Sequence, residues 1–300
     1  MMGVRVKGRT VGVVIACSLI AVVVACLVVA RGMGSRMETA PDQLISVEAI
    51  PEAYWQKLAE KRVFFGHQSV GYNIIDGVAE IVEEHPEIDL NIVNSKDFDS
   101  IDGAAIFHDN VGRNTKPKSK LMAFKNALES SEDQRVDIAI LKFCYVDIRH
   151  DSNPQEEFDQ YLSTISDLED RNPHTTFVHS TVPIEARNSS VTRVLKESIK
   201  TLIGRPGVVD DNRVRQRYNE LLRSAFAGRG LVFDIARYEA VGPEGSLSYR
   251  VVDSEKVVLM DGRYSDDGGH LNKVGRRKVA EQFLVTLALA ANGRERSDLP

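Results

Sequence analysis

Short apolar segments alternate with amphipathic helical patterns from Arg62 to the end of the chain. Segments apolar enough for buried strands occupy residues 63–65, 90–93, 136–143, 175–178 and 231–233. Apolar residues spaced by three and four predict a short helix from Pro51 and longer helices at 70–83, 118–128, 155–168, 191–202, 212–226 and 273–290. This alternation predicts an α/β fold, a three-layer α/β/α sandwich with a five-stranded parallel sheet.

A different apolar pattern lies at the start of the chain. Residues 11–30 are interrupted only by Gly12 and Ser18, and as a helix they would span about 30 Å, the thickness of a bilayer's hydrocarbon core. Three basic residues precede the run, which favours a cytoplasmic N-terminus and an exported remainder. We therefore expect a single-pass membrane protein whose domain is extracytoplasmic, either periplasmic or at the cell surface.

Two alternatives to an uncleaved anchor remain open, because the residues before Cys17 and Cys26 loosely resemble lipoprotein cleavage boxes. The apolar run continues past both cysteines, whereas the apolar part of a signal peptide is normally only about 7–15 residues long. An uncleaved anchor is therefore preferred. The expected organisation is a cytoplasmic tail at 1–10, a transmembrane anchor at 11–30, a linker at 31–50, a domain at 51–292 and a tail at 293–300.

Charge and cysteine content narrow the function classes. The first 36 residues hold five Lys or Arg and no acidic residue, so the chain's 38 basic and 43 acidic residues leave a net charge of −10 beyond them. This acidic balance argues against nucleic acid as a partner. Cys144 is the single cysteine after the apolar run, which excludes an intramolecular disulfide in the exported part, and we expect it to be buried.

Ser69 follows the first predicted strand, in the segment Gly66-His67-Gln68-Ser69-Val70-Gly71. Sites in parallel α/β folds lie beyond the carboxyl ends of the strands. A serine at such a turn would place its hydroxyl at a helix N-terminus, where free N–H groups stabilise developing negative charge. The same position also suits an ordinary N-cap serine with no chemical role.

A second candidate feature, Asp267-Gly268-Gly269-His270, lies just before the last predicted helix. Two glycines between a carboxylate and an imidazole let the chain fold back, so that the aspartate can fix the histidine tautomer and support an imidazolium. A glycine-rich turn followed by an N-capping Asn272 is the competing interpretation. Asp266 is the alternative carboxylate, although the spacing favours Asp267.

Together, these features resemble the SGNH (GDSL-like) hydrolase superfamily. The resemblance spans roughly residues 62–290 and rests on the order of elements, on the segments around Ser69 and His270, and on 181–183 and 233–234. It implies a flavodoxin-like fold, with Ser69 as nucleophile, His270 as general base and Asp267 as its orienting partner. It also implies that Ser69 and a glycine after the second strand, matched here by Gly112, donate N–H groups to an oxyanion.

The chain departs from the superfamily pattern at two places. Val146 stands where the family has an asparagine that donates to the oxyanion, and His67-Gln68 replaces the usual Gly-Asp before the serine. Loss of one oxyanion donor typically costs about 10²–10³ in rate. The residues that could replace the missing donor or contact substrate are Asn110, Asn114, Tyr145 and His67.

These features predict an extracytoplasmic serine hydrolase that acts on acyl esters, deacetylating or transacylating cell-envelope glycans without a cofactor. Two alternatives are a catalytically impaired carbohydrate-binding protein on the same fold, motivated by Val146, and a metal-assisted hydrolase. The latter would use His67, His108 and His179, which all fall near predicted strand ends. The simpler interpretation of these histidines is a polar pocket.

Overall fold

The computed structural model describes residues 36–39, 44–130, 135–187, 205–228, 230–294 and 296. The predicted anchor at 11–30 and the predicted helix at 191–202 lie outside these ranges. Within them, no helix is both long and apolar enough to cross a bilayer. The expected topology at the membrane therefore stays a prediction.

The central sheet is parallel throughout. The six strands in the described part of this sheet are β2 (Arg62–His67), β3 (Ile92–Asn94), β4 (Ala105–Asn110), β5 (Ile138–Leu141), β6 (Thr176–Ser180) and β7 (Val232–Phe233). They have the order β3-β4-β2-β5-β6-β7. Without the short edge strand β3, this is the 2-1-3-4-5 order of flavodoxin-like sheets.

The α/β class and the parallel sheet are confirmed, but the count of five strands is corrected to six. The segment predicted as the second strand forms the edge strand β3, and the strand that pairs with β2 is β4. The apolar run of β4 is broken by His108 and Asp109, so the sequence of β4 lacks the continuous apolar character of a central strand. His108 is nevertheless buried, since β4 lies between two neighbours.

Helices cover both faces of the sheet, because successive strand side chains point to opposite sides. The α-helices in the described part of the chain are α1 (Glu52–Leu58), α2 (Val70–Glu84), α3 (Pro117–Glu129), α4 (Pro154–Arg171), α5 (Val208–Phe226), α6 (Ile235–Ala240) and α7 (Lys273–Ala291). Phe65 of β2 packs in the core beneath α1, α2 and α7, whereas its neighbour Phe64 packs in the core beneath α3, α4 and α5.

A small antiparallel sheet lies outside the central one, with the order β1-β8-β9. Its strands are β1 (Arg36–Thr39), β8 (Ser246–Val252) and β9 (Glu255–Val258). The range 31–50, expected to be a linker, thus contains a paired strand, and it also contains a 3₁₀ helix at Val47–Ala49. Val47 and Ile50 are buried in the core on the α7 side, so residues 47–50 pack as part of the domain.

Helices α2 and α7 pack closely against each other at Gly77. A Cβ at this position would lie 2.7 Å from both the Cβ of Ala280 and the carbonyl oxygen of Arg276. Contacts this short, one of them to backbone, leave no space for a side chain. The absence of a side chain at Gly77 therefore sets the separation of the two helices.

We expect Gly77→Ala to lower the free energy of unfolding. Overpacking at this contact costs about 1–3 kcal/mol, against a helix-propensity gain of only about 1 kcal/mol. Urea unfolding followed by circular dichroism would measure the change. Ala79→Gly, at an exposed position of the same helix, reports propensity alone. A Gly77→Ala protein as stable as the wild type would contradict the close-packing argument.

Candidate active site

Ser69 occupies a sharp turn between β2 and α2. Its backbone has φ 53° and ψ −110°, and such conformations typically cost a non-glycine residue about 1–3 kcal/mol. The residue stands at the N-cap position of α2, but its side chain makes no capping hydrogen bond. Instead its Oγ lies 2.6 Å from Nε2 of His270. The Ser69 hydroxyl therefore contacts the histidine and does not cap the helix.

The Asp267–His270 loop folds back as its two glycines predict. His270 Nδ1 donates to Oδ2 of Asp267 at 2.7 Å, which leaves Nε2 to accept from the Ser69 hydroxyl. Oδ1 of Asp267 accepts the backbone N–H groups of Gly269 and His270, both at 2.8 Å. Asp266 accepts from the side chain of Asn272, so it supports the cap of α7 rather than the histidine.

The Asp267 carboxylate is held in its charged form. Partial burial alone would raise the pKa of this carboxyl. The hydrogen bonds from the His270 and Gly269 backbone and from the imidazole outweigh that effect and bring the pKa well below its usual value. Asp267 is therefore an anion at neutral pH, as a group that orients and supports an imidazolium must be.

The serine and histidine loops are joined directly by Asn73. Its Oδ1 accepts the backbone N–H of Leu271 at 3.2 Å, which ties the first turn of α2 to the residue after His270. Sequence reasoning missed this residue, although its place four residues after Ser69 puts it on the same helix face. Both Ser69 and Asn272 stand at helix N-termini, so the positive ends of α2 and α7 face the site.

Gly112 lies in the loop after β4, beside the serine turn. Its φ is 60°, and a Cβ here would lie 2.5 Å from the backbone nitrogen of Lys120, so only glycine fits. The Gln68 side chain donates to the carbonyl oxygens of Val111 at 3.0 Å and Gly112 at 2.5 Å. Gln68 thus links this loop to the residue before Ser69, a role that no sequence signal indicated.

The other predicted oxyanion or substrate residues lie in three different settings. Asn110 is exposed and donates to the hydroxyl of Tyr72, on the first turn of α2. The side-chain oxygen of Asn114 instead accepts from Lys120 Nζ at 2.9 Å. Tyr145 lies on the histidine side, with its ring edge-on to that of His270 and ring centroids 5.9 Å apart.

His67 supports the serine turn from beneath rather than facing substrate. It is fully buried, its Nε2 lies 3.1 Å from Nδ1 of His108, and a Cβ at Gly71 would lie 2.3 Å from its ring. Burial, reinforced by the nearby Lys142 ammonium, lowers the pKa of His67 to about 2, so the ring is neutral. A contact between His67 and substrate, which the sequence suggested, does not fit this position.

No protein-family model and no curated protein matches the chain. Among solved structures, it is similar to a protein from Parabacteroides merdae described as a GDSL-like lipase (TM-score 0.46, 10% identity, 77% of this chain and 96% of that chain). It is also similar to one from Bacteroides fragilis described as an acylhydrolase (TM-score 0.45, 14% identity, 81% and 98%).

A member of the lipolytic G-D-S-L family from Veillonella parvula is a third such structure (TM-score 0.41, 13% identity, 74% of this chain and 95% of that chain). The chain resembles SGNH-type proteins. The three TM-scores are below 0.5 and the three identities below 25%.

The three candidate metal-binding histidines do not converge. His67 and His108 are in contact, but His179 hydrogen-bonds Tyr161 and stacks on Phe226. Tyr161 and Phe226 belong to the core on the α4 and α5 side. Among the residues that the structure describes, no group of three or more His, Cys, Asp or Glu side chains could hold a metal ion. The alternative of a three-histidine metal site therefore does not fit these positions, since His67 and His108 form a buried pair apart from His179.

Cys144 is buried and free, as expected. Its Sγ lies 3.4 Å from the carbonyl oxygen of Gln68 and 3.6 Å from Lys142 Nζ. Lys142 is itself fully buried at the end of β5. The thiol therefore packs directly beneath the serine turn, where it acts as a small core residue.

Asp267 should make the stability of the domain depend on pH. Because its folded pKa is depressed, its contribution is complete above the ordinary aspartate value of about 3.9 and is lost as pH falls toward the lower folded value. We expect the difference in unfolding free energy between wild type and Asp267→Asn to shrink from about pH 6 to about pH 2.5. Urea unfolding at both pH values measures it, and a pH-independent difference would contradict the prediction.

Proposed function

We propose that this protein is an extracytoplasmic serine hydrolase of the SGNH type that acts on acyl esters. The single observation that carries the proposal is the hydrogen-bonded series from Ser69 Oγ through His270 to Asp267, at 2.6 Å and 2.7 Å. These distances meet the requirement that a nucleophile and its base lie within hydrogen-bond reach and that a third group orients the base.

The reaction would begin with transfer of the Ser69 hydroxyl proton to His270 Nε2 as Oγ attacks the ester carbonyl. The resulting oxyanion would accept the backbone N–H groups of Ser69 and Gly112. His270 then returns the proton to the departing alcohol oxygen, the C–O bond breaks, and an acyl-serine remains. Water, or a sugar hydroxyl in a transfer reaction, would release the acyl group by the same steps in reverse order.

A large, accessible substrate is consistent with the exposure of the site. The side chains of His270 and Asp267 are 46% and 48% exposed. We propose short acyl groups on a cell-envelope glycan, with the domain held at a membrane by the apolar segment at 11–30. The location and the substrate depend on that segment and on the resemblance to SGNH hydrolases, whereas the ester chemistry depends on Ser69 and His270.

Labelling by a fluorophosphonate tests the nucleophile directly. We expect the full-length protein to be labelled covalently, and Ser69→Ala to abolish the label. His270→Ala should slow labelling by about 10³-fold or more, because the hydroxyl loses its base. Ser130→Ala is the matched control and should label normally, because the Ser130 hydroxyl donates to the carbonyl oxygen of Ala127 at the far end of α3.

Absence of labelling in correctly folded wild type would overturn the hydrolase proposal. A carbohydrate-binding protein on this fold would then be favoured, because Val146 does not supply the oxyanion donor that an asparagine would supply there. Retention on an envelope polysaccharide without release of acid would identify that function. Activity lost with a chelator and restored by metal would also contradict the mechanism.

Val146 offers a gain-of-function test. Asn at this position would supply an amide donor, and one such donor is typically worth about 10²–10³ in rate. We expect Val146→Asn to raise kcat for an aryl acetate by about tenfold or more. Val146→Leu, similar in size but without an amide, is the control. An unchanged or lower kcat in the asparagine variant would mean that position 146 does not face the oxyanion.

A further inference from the structure

A fully buried ion pair lies beneath the loops that flank the serine turn. Nζ of Lys120, in α3, contacts Oδ2 of Asp147, in the loop after β5, at 2.5 Å, and neither side chain is exposed to solvent. Taking two charges out of water is costly, and replacing a buried pair with apolar residues is often neutral or stabilising. The stability of the fold alone therefore gives little reason for this pair.

The ion pair joins two loops through their backbones. Asp147 accepts the N–H of Cys144 with Oδ2 at 2.6 Å and the N–H of Thr115 with Oδ1 at 2.8 Å. Lys120 Nζ also donates to Oδ1 of Asn114 at 2.9 Å. One carboxylate therefore holds the loop after β4 and the loop after β5 at a fixed separation.

Gly112 depends on this arrangement. The loop that contains it returns to the start of α3, where Arg113 N–H donates to Oγ of Ser119 at 2.9 Å. Because Gly112 has no Cβ, it can lie directly against the backbone of Lys120. The position of the candidate oxyanion N–H is thus set by the same residue that supplies the buried ammonium.

We propose that Lys120 and Asp147 are positioning residues that hold Gly112 at the distance from Ser69 that oxyanion binding needs. The inference rests on the proposed function. With Val146 in place of an amide donor, the oxyanion would depend on backbone N–H groups alone, and these cannot adjust as a side chain can. A displacement of about 1 Å in such a site can cost about 10² in rate.

A double-mutant cycle tests the pair. Lys120→Met leaves an unpaired buried carboxylate and Asp147→Asn an unpaired ammonium, so the double variant, which lacks both charges, is the one expected to fold best. We expect its kcat for an aryl acetate to fall by about 10²-fold with KM changed less than about threefold. A folded double variant with wild-type kcat would overturn the proposal, as would a loss confined to KM.

A matched control removes another ion pair at the same end of the sheet. Arg223 and Asp234 form a two-bond pair beside β7, with both distances 2.7 Å, and neither residue contacts Ser69 or His270. Arg223→Met with Asp234→Asn should lower stability but leave kcat within about threefold of wild type. A control with the same fall in kcat would show that any lost ion pair slows the enzyme, and so would overturn a specific positioning role.

Amide hydrogen exchange separates this inference from the proposed function. The two N–H groups are accepted by different oxygens of the carboxylate. Asp147→Asn replaces one of these oxygens with an NH2 group, which cannot accept, so one of the two N–H groups loses its acceptor. Thr115 or Cys144 should therefore exchange about tenfold faster in the double variant. The exchange measurement does not require that the protein is active.

If wild type is neither labelled nor active, the hydrolase proposal fails. Unchanged exchange at both amides would overturn the positioning role, whatever the activity.

Discussion

The site depends on the close approach of α2 and α7, because each helix begins at one half of it. Ser69 stands at the N-cap of α2, and His270 lies two residues before Asn272, the N-cap of α7. At Gly77 the two backbones come within a distance that no side chain would allow. The 2.6 Å contact between Ser69 and His270 lies about two helical turns from this close packing, which fixes how near the starts of the two helices can lie.

The local geometry of the site is set by backbone strain at Ser69 and by hydrogen bonds at Asp267. Ser69 is held at a positive φ with no capping bond to offset it, whereas Asp267 accepts two backbone N–H groups in addition to the imidazole. Such strain persists only where the surroundings fix it. Here the surroundings are the buried ring of His67 below and the Asn73 bond to the histidine loop beside it.

The sequence was sufficient for features that depend on local patterns. Five of the long predicted helices match α2, α3, α4, α5 and α7 to within a few residues, and Asp267 and His270 meet as their glycine spacing suggests. Features that depend on tertiary contacts could not be predicted in this way. The strand β4 was missed because His108 is buried only once β2 and β3 flank it, and Asn73 because its partner lies 198 residues away.

The two departures from the SGNH pattern have different physical meanings. His67 and Gln68 replace the usual residues before the serine, yet both are used: one fills the space beneath the turn, and the other bonds the Gly112 loop. For Val146, none of the suggested replacement donors is positioned in the same way. Asn110 donates to Tyr72, Asn114 is engaged by Lys120, and Tyr145 lies beside His270. Binding a carbohydrate does not require a serine with a strained backbone whose hydroxyl donates to an exposed histidine. The geometry of Ser69 and His270 therefore favours catalysis. Because position 146 supplies no amide donor, stabilisation of the oxyanion would depend on how accurately the backbone around Gly112 is placed.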